Sequence, residues 1–383
     1  MGEYDVIVVG SGSVGTPIAM SLSEMGARTL VIDRSASAGQ GENKHAIGGI
    51  RATHSYPAKI LTCLRSIEVF SNWEERMGDD IEWRMGGYTF PVYRKLEEEA
   101  LREILPIQKE WGLGIDMYGP DRIREIVPGI NPEGLMGGTY SPGDGSASPL
   151  LSINAFRRRA EENGAEFHFK EKATGIDIED GAVRGIRTDR GGYMAEIVVD
   201  AAGPYSRELC SSVGVDVPVT PDSHEGAITE PVKRFFDPMV VDLRPAPGSK
   251  NYYFYQNSRG QIVFCITPDP PILGTDHRET SAFLPQVSKR MVGLLPRLRN
   301  IRVRRVWRGL YPMSPDGNPL VGRNRDVKGL IHATGMSGQG FMLGPGVGEV
   351  VARLALDRIV KDDGIVLEGF SPYRDFGGEE TLK

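Results

Sequence analysis

The N-terminal segment combines two short apolar runs with one stretch of helical spacing. Val6–Val9 is continuous and apolar and ends at Gly10, which is typical of a buried parallel strand. After Gly15, apolar residues recur at helical spacing until Gly26, and Leu30–Ile32 forms a second apolar run. The pattern predicts a strand, a tight turn, a helix and a second strand.

Three glycines and one acid in this segment have the spacing of a dinucleotide-binding turn. Gly10 permits the tight turn, Gly12 lets backbone N–H groups approach a pyrophosphate, and Gly15 lets the helix and strand pack closely. Asp33 closes the second strand about twenty residues later, where its carboxylate can accept both hydrogens of a ribose diol. The spacing alone does not distinguish FAD from NAD.

The rest of the chain shows a change in pattern at Val217. Helical spacing is found over Tyr56 to Met77, 94–111, 151–163 and 281–298, and a last helix is predicted to start near Pro345. Before Val217, strands are predicted over 81–93, 165–169 and 197–200, with a hairpin that ends at Thr188. From Val217 to Trp307, short alternating strands predominate. Among them, Tyr252–Gln256 and Gln261–Cys265 are expected to form a hairpin.

Strands that end in glycine reappear far along the chain. Ile197–Gly203 and Gly329–Gly335 both look like further strands of the first sheet. We therefore expect an α/β fold in which a Rossmann-like domain, a parallel sheet with helices, is interleaved with a mainly antiparallel-sheet α+β domain. The first domain is expected to comprise residues 1–82, 143–215 and 316–383, and the second 83–142 and 216–315.

Composition and charge narrow the function without specifying it. The 383 residues are 40% hydrophobic and 25% charged, which is ordinary for a soluble protein of two domains. The net charge of −6 argues against nucleic-acid binding. The three cysteines lack disulfide or zinc-ligand spacing, so no metal site is expected. We see no charged leader and no apolar run of about eighteen residues, and we expect a cytoplasmic protein without a transmembrane segment.

Four stretches together resemble the FAD-dependent D-amino-acid oxidase superfamily. They are the N-terminal glycine segment, Asp200–Gly203, Pro315–Pro319 and Gly335–Phe341. Within that superfamily, Arg305–Leu310 is most similar to sarcosine oxidase β subunits and to the β subunit of dye-linked L-proline dehydrogenase. The resemblance spans the whole chain and implies that the first domain binds FAD and that the second holds the substrate.

The resemblance also implies how FAD lies. Its ADP half would rest on the N-terminal glycines and Asp33, with the flavin ring at the domain junction. Loop 335–340 and the next helix would direct backbone N–H groups at flavin N1 and C2=O, where negative charge collects on reduction. The cofactor-binding residues implied in this way are Gly10, Gly12, Ser13, Val14, Gly15, Asp33, Arg34, Lys44, His45, Gly49, Ala173, Ala202, Gly203, Gly309, Gly335, Gly338, Gln339, Gly340, Phe341 and Met342.

Four residues are expected to contact the substrate. In related amine oxidases, an arginine at the position of Arg51 pairs with the substrate carboxylate, which a guanidinium fork fits bidentately. Tyr253 or Tyr255 and His45 would border the same site. His45 also falls where dimethylglycine dehydrogenases carry a flavin-linked histidine, so a covalent link stays open beside the favoured non-covalent FAD. The cysteine that tethers flavin in monomeric sarcosine oxidase would fall near Gly309. This sequence has no cysteine there, so that covalent link is not expected.

Two departures from monomeric sarcosine oxidase affect the expected reaction. Met342 stands where that oxidase has a lysine that helps hold the substrate carboxylate. A methionine side chain would suit a substrate with a larger apolar ring or chain. An approximate alignment places Ile262 where that oxidase has the lysine that promotes reaction with oxygen, and this favours a dehydrogenase. We expect hydride transfer from the Cα of a small proline- or sarcosine-like amino acid to flavin N5, with no dedicated base once the amine is neutral. A dye, a quinone or a partner subunit would accept the electrons.

Three alternatives stay open at this point. A peroxide-forming amino-acid oxidase would pass the electrons to O2. A FAD-dependent 2-hydroxy-acid dehydrogenase would share the fold and would need a well-placed base such as His45, because an alcohol must lose its O–H proton. A flavin subunit of a hetero-oligomer would have little activity alone and would expose apolar patches for its partner.

Overall fold

Two eight-stranded sheets form the framework of the computed structural model, which describes residues 3–377. The strands in chain order are β1 (Tyr4–Val9), β2 (Thr29–Asp33), β3 (Gly49–Ile50), β4 (Tyr88–Val92), β5 (Asp116–Tyr118), β6 (Gly137–Ser141), β7 (Gly145–Ser146), β8 (Glu166–Phe169), β9 (Ala173–Glu179), β10 (Ala182–Thr188), β11 (Gly192–Asp200), β12 (Thr220–Pro231), β13 (Met239–Asp242), β14 (Ser249–Gln256), β15 (Gln261–Pro268), β16 (Val303–Met313), β17 (Leu320–Arg323) and β18 (Leu330–Thr334).

The same residues form ten α-helices, of which eight lie between these strands in the chain and two follow β18. They are α1 (Gly15–Glu24), α2 (Pro57–Ser71), α3 (Trp73–Met77), α4 (Lys95–Glu110), α5 (Pro120–Ile126), α6 (Pro149–Glu162), α7 (Ser206–Ser211), α8 (Phe283–Leu294), α9 (Gly340–Ala355) and α10 (Lys361–Gly369). Short 3₁₀ turns occupy Glu42–His45, Gly203–Tyr205 and Pro296–Leu298.

The first sheet has the strand order β17-β18-β11-β1-β2-β8, and β18, β11, β1, β2 and β8 run parallel. The apolar run of β1 is buried on both faces. Val6 and Val8 pack into the core that contains α1, α2, α6 and α9, whereas Ile7 and Val9 pack toward the β9–β10 hairpin and α7. Burial on both faces explains why this strand reads as a continuous apolar run.

The second sheet is mainly antiparallel, with the order β16-β12-β15-β14-β13-β4-β6-β5. Its hairpin β14–β15 pairs Tyr252 with Ile266 and Gln256 with Ile262, which confirms the predicted hairpin. Tyr252 and Phe254 pack against α8 in one apolar core. Because side chains alternate along a strand, Tyr253 and Tyr255 face the other side of this sheet.

The predicted α/β fold is confirmed, with one mainly parallel and one mainly antiparallel sheet interleaved along the chain. The strands of the first sheet fall within residues 1–82, 143–215 and 316–383, and those of the second within 83–142 and 216–315. The domain boundaries themselves stay a prediction, and residues 1–2 and 378–383 lie outside the described part of the chain.

Three predicted elements are shorter than expected. The helix over Tyr56 to Met77 is interrupted at Asn72, whose side-chain amide donates to the Glu68 carbonyl and competes with the helix backbone. The helix over 281–298 becomes α8, since Pro296 disfavours helical geometry at the residue before it. Of residues 81–93, only β4 forms a strand, although Arg84 makes an isolated bridge with Ser146.

The last large helix begins at Gly340, so the prediction of a start near Pro345 was wrong. Glycine is common just outside helices, but here it lies inside one for a packing reason. A Cβ on Gly344 would lie 1.9 Å from the Ser13 carbonyl oxygen, and one on Gly346 would lie 2.2 Å from the Thr62 carbonyl oxygen. The glycines therefore let α9 lie directly against α1 and α2.

No helix within residues 3–377 has both the length and the apolar character that crossing a membrane requires. The cytoplasmic location and the absence of a nucleic-acid partner stay predictions.

Candidate functional site

A cavity of about 420 Å³ lies between the two sheets and reaches the carboxyl ends of β1 and β2. One end, which we call the β1 end, is lined by Gly10 and by residues 12–14, 33–35, 172–174 and 201–205. The other, which we call the β12 end, is lined by residues 45–49, Arg51, Trp307, residues 309–312 and 336–342 and by side chains of β12, β14 and β15. The carboxyl edge of a parallel sheet is where open α/β folds bind ligands.

Close backbone contacts hold the turn between β1 and α1. Gly10 has a φ of +105°, and a Cβ there would lie 2.4 Å from the Ala201 carbonyl oxygen. A Cβ on Gly15 would lie 1.8 Å from the Gly10 carbonyl oxygen. At Gly12, by contrast, a Cβ would meet nothing within 4 Å, and this residue lines the cavity. The turn therefore brings bare backbone to the cavity wall.

Asp33 ties the end of β2 to this turn. Its Oδ2 accepts hydrogen bonds from the backbone N–H and the hydroxyl of Ser11, both at 2.7 Å, and its Oδ1 accepts from the Ser35 N–H at 2.7 Å. Oδ2 thus uses both of its lone pairs, whereas Oδ1 keeps a second lone pair, with which Asp33 can still accept from a hydroxyl of a ribose in the cavity. Next to it, the Arg34 guanidinium lies 3.7 Å from the centre of the Tyr205 ring.

Most of the predicted cofactor residues line the cavity. Those that do are Gly10, Gly12, Ser13, Val14, Asp33, Arg34, His45, Gly49, Ala173, Ala202, Gly203, Gly309, Gly338, Gln339, Gly340, Phe341 and Met342. The structure does not bring Gly15, Lys44 or Gly335 to the cavity. Gly15 packs α1 on β1, Lys44 extends into solvent, and Gly335 lies behind the loop, where a Cβ would be 2.9 Å from Leu320 Cγ.

Glu42 organises one wall of the β12 end. Its carboxylate lies 3.2 Å from His45 Nδ1 and 3.0 Å from His277 Nε2, and it accepts the Leu310 N–H at 2.8 Å. Burial opposes its ionisation, but these hydrogen bonds outweigh burial and lower the pKa of Glu42. The Trp307 indole N–H donates to the His45 carbonyl at 2.8 Å. His45 is thus held in the wall at both its ring and its backbone.

Arg51 follows β3 and lines the β12 end with only 7% of its surface exposed. Its guanidinium donates to the Thr53 carbonyl and lies 5.7 Å from the centre of the Phe90 ring. The buried Asp144 holds this segment, because it accepts the Ala52 N–H at 2.8 Å and the Thr53 hydroxyl. Burial raises the pKa of Asp144 to about 6 despite these bonds.

The two predicted tyrosines have different positions. Tyr253 lines the cavity, and its hydroxyl lies 2.8 Å from that of Tyr311. Tyr255 does not line the cavity, because segment 46–48 covers it and its hydroxyl donates to the Ile47 carbonyl at 2.6 Å. Tyr255 therefore supports the cavity wall rather than bordering the space inside it.

Sequence reasoning missed several side chains of the β12 end. His224 is the most informative, since its ring stacks on Tyr311 with 3.7 Å between ring centres. Alternation along β12 puts His224 on the same face as Asp222 and Gly226, and that spacing was the available signal. The others missed are Glu42, Asn43, Tyr88, Asn251, Thr267 and Tyr311.

Two groups within residues 3–377 bring ligand atoms of three potential metal-binding residues within 4.8 Å of one another: Glu42, His45 and His277, and Asp200, Cys210 and His332. Both join residues that are distant in sequence, so no spacing motif could reveal them. Hydrogen bonds among their members account for both arrangements, and the expectation of no metal site stays a prediction.

The cavity residues fit the predicted FAD. Asn43 Oδ1 and Gln339 Oε1 are buried, belong to cavity-lining residues and have no hydrogen-bond partner within residues 3–377. A buried acceptor without a partner costs free energy, and a bound ligand with hydrogen-bond donors would satisfy both. The open space at Gly12 and the start of α9 at Gly340 would receive negatively charged groups.

Comparisons with known proteins agree with this geometry. Glycine oxidase of Bacillus licheniformis is 24% identical over 97% of this chain and 98% of its own length. Monomeric sarcosine oxidase of Bacillus sp. (strain B-0618) is 25% identical over 92% of both chains. The crystal structure of L-proline dehydrogenase from P. horikoshii has a TM-score of 0.91 and 30% identity, and the match covers 99% of each chain. The family described as "DAO: FAD dependent oxidoreductase" matches residues 5–354. The chain therefore belongs to the DAO family of FAD-dependent oxidoreductases.

Proposed function

We propose that the protein is an FAD-dependent dehydrogenase that oxidises the C–N bond of a small secondary amino acid of the proline or sarcosine type. The position of Arg51 carries this proposal. Among the described residues that line the cavity, the lysines and arginines are Arg34, Arg51 and Lys172, and Arg34 and Lys172 lie at the β1 end. Arg51 is therefore the cation of the β12 end, where its guanidinium would pair with a substrate carboxylate.

The names of the relatives support the same substrate class. They describe oxidation of glycine, sarcosine and L-proline, all of them small amino acids. Met342 adds an apolar side chain to the β12 end. An apolar contact favours the ring of a proline-like substrate over glycine, because burying each methylene contributes about 0.8 kcal/mol.

The absence of a lysine from the described lining of the β12 end supports a dehydrogenase. Lys172 is at the β1 end, and Lys44 and Lys250 extend into solvent. Ile262, which the alignment placed beside the flavin, lies instead in the core against α8, so the alignment was wrong at that residue. A cation beside the flavin would stabilise the negative charge that forms when O2 is reduced. We infer that electrons pass to a dye, a quinone or a partner subunit.

The residues of the chain would bind and orient the reactants. FAD, when bound, supplies the acceptor for two electrons. The glycine turn and Asp33 would hold its nucleotide, with Asn43 and Gln339 as further hydrogen-bond acceptors. Arg51 would fix the substrate carboxylate, and such positioning accounts for a large share of the rate acceleration in oriented reactions.

Anaerobic titration of the holoenzyme tests the proposal. Proline, sarcosine and hydroxyproline are added in turn, and the loss of visible flavin absorbance is measured. We expect at least one of them to bleach the flavin, and we expect 2-hydroxy acids to leave it oxidised. Oxygen uptake against dye reduction then separates an oxidase from a dehydrogenase. The proposal fails if no amino acid reduces the flavin.

We propose that FAD is bound non-covalently. His45 Nδ1 is already engaged by Glu42 at 3.2 Å, which favours a structural role for this ring in the cavity wall. Acid precipitation should therefore leave the flavin in the supernatant. A yellow pellet would show that the flavin is covalently bound. If the pellet of a His45→Ala variant were then colourless, the covalent link would be assigned to His45.

We also infer a cytoplasmic location, and a partner subunit stays an alternative electron acceptor. Exposed apolar side chains such as Met85, Met194 and Leu273 are scattered over distant elements. Scattered exposed residues are normal on a protein surface. Co-purification of the tagged chain with a stoichiometric neighbour would favour the hetero-oligomer.

A further inference from the structure

His224 occupies a position in the cavity wall that packing alone does not explain. It lies on β12 with 5% of its surface exposed, and its ring stacks nearly parallel on Tyr311, with 14° between the ring planes. Its Nε2 is 3.1 Å from Asp222 Oδ2. Its Nδ1 is buried and has no hydrogen-bond partner within residues 3–377. One ring nitrogen is therefore held by a carboxylate, and the other is unused.

Asp222 is itself held in place and charged. It is 4% exposed, and its Oδ1 accepts the Ile272 N–H at 2.7 Å, which leaves Oδ2 for His224. Burial opposes its ionisation, but the bonds to His224 and to the backbone outweigh burial and keep the pKa of Asp222 below its usual value. A carboxylate on one ring nitrogen places the N–H there, so the other nitrogen carries a lone pair. Asp222 thus makes Nδ1 the basic nitrogen.

The other titratable groups around His224 are less suited to accept a proton. Burial raises the pKa of the Tyr253 and Tyr311 hydroxyls well above the usual value, and raises that of the Cys265 thiol to about 12. Glu225, the next residue on β12, bonds to the backbone N–H and hydroxyl of Thr280. His45, which lies against Gly309, the strand partner of His224, has its Nδ1 engaged by Glu42.

We propose that His224 is the proton acceptor of this site and that it removes a proton from the ammonium group of the bound amino acid. This rests on the proposed function. An amino acid reaches the cavity mainly as an ammonium ion, but only the neutral amine has the nitrogen lone pair that forms the C=N bond. Asp222 acts as a positioning residue, because it sets which nitrogen of His224 is basic.

The step balances without a further reactant. One N–H bond of the ammonium breaks, its proton forms a new N–H bond at His224 Nδ1, and the electron pair stays on the amine nitrogen. FAD, when bound, would supply the acceptor for the hydrogen and both electrons of the Cα–H bond, and the lone pair left on nitrogen by this deprotonation would form C=N. Water hydrolyses the resulting iminium outside this step.

Anaerobic stopped-flow reduction of the holoenzyme across neutral to alkaline pH tests the proposal, with whichever amino acid of the panel reduces the wild type. We expect His224→Gln to lower the rate constant of flavin reduction at neutral pH by about 100-fold or more. The deficit should shrink as pH rises, since more substrate then arrives as the neutral amine. His168→Gln, which changes a surface histidine bonded to Tyr193, should keep the wild-type rate and profile.

Asp222→Asn provides an independent test if His224→Gln loses its flavin. An asparagine amide that donates to His224 Nε2 would move the ring proton to Nδ1, so we expect a loss of about 10- to 100-fold at neutral pH with the flavin spectrum intact. Wild-type rates and pH profiles in these variants would overturn the role of His224 alone. A wild-type flavin that no amino acid reduces would overturn the proposed function and this role together.

Discussion

The two ends of the cavity are built in different ways. At the β1 end, the turn and its acid come from one continuous segment, and the decisive contacts are made by backbone, such as Gly15 against the Gly10 carbonyl. At the β12 end, Arg51 and side chains from β12, β14, β15 and β16 meet, and residues such as His224 and Tyr311 touch only because their strands are neighbours in the sheet.

This contrast separates a general function from a specific one. Backbone at the β1 end can bind any dinucleotide of the right shape, whereas in our proposals side chains at the β12 end select the substrate and accept its proton. Substitutions at the first end should therefore affect FAD binding and folding, and those at the second should affect substrate turnover.

Gly15→Ala should have the largest effect. Its Cβ would lie 1.8 Å from the Gly10 carbonyl oxygen, so α1 would have to move off β1. We expect a loss of about 3 kcal/mol or more in the free energy of unfolding, together with loss of bound FAD. Urea unfolding and the flavin content of the purified protein measure both.

Gly12→Ala is the matched control for this substitution. Its Cβ meets no protein atom within 4 Å, so the chain should fold as the wild type does. The added methyl would stand where the pyrophosphate approaches, so FAD affinity should still fall. Equal unfolding free energies for the two variants would show that Gly15 has no packing role.

Arg51→Met should have the next largest effect. It changes the β12 end of the cavity, so it should affect reduction by the amino acid. Loss of a charge-assisted pair costs about 3 to 4 kcal/mol. This corresponds to a decrease of about 100- to 1000-fold in kred/Kd, the rate constant of flavin reduction divided by the dissociation constant of the amino acid. The kred/Kd of Arg51→Lys should lie between the values of the wild type and Arg51→Met, since an ammonium group keeps the charge but not the planar fork. FAD content should not change. Reduction of Arg51→Met at the wild-type rate would refute carboxylate binding by Arg51.

Asp144→Asn should change how stability depends on pH. Burial raises the pKa of Asp144 from 3.8 to about 6, so the folded chain binds this proton more tightly than the unfolded chain does. The stability that this group contributes is present in acid and is lost between about pH 4 and pH 6, by about 2 kcal/mol. The variant lacks this titration, so its unfolding free energy should change less over that interval. An identical slope in both proteins would contradict the assignment.

A pair of tyrosine substitutions should give the smallest effects. Tyr255→Phe leaves the Ile47 carbonyl without its donor, so we expect a loss of about 1 kcal/mol in stability and little change in reduction rate. Tyr253→Phe removes the hydroxyl next to Tyr311 in the cavity, so the reduction rate should fall while stability changes little. The reverse outcome would mean that Tyr255 contacts the substrate.

The sequence predicted the interleaved fold because its apolar runs and glycine positions are local signals. Most of the cofactor residues that it predicted line the cavity, since these belong to recognisable motifs. The prediction of where α9 begins was wrong, because glycine can mark the end of a helix or allow close packing inside one. The glycines of α9 do the second. Sequence reasoning also missed His224, because nothing in the sequence shows that β12 pairs with β16.

By itself, then, the sequence determined the turn after β1, since the positive φ of Gly10 and the contact between Gly15 and the Gly10 carbonyl involve atoms close together in the chain. The tertiary structure decided which side chains meet at the β12 end. Tyr253 and Tyr255 share one face of β14, yet only Tyr253 lines the cavity, because segment 46–48 folds over Tyr255. Such coverage depends on strand register and loop placement, which are set by contacts between residues far apart in the chain.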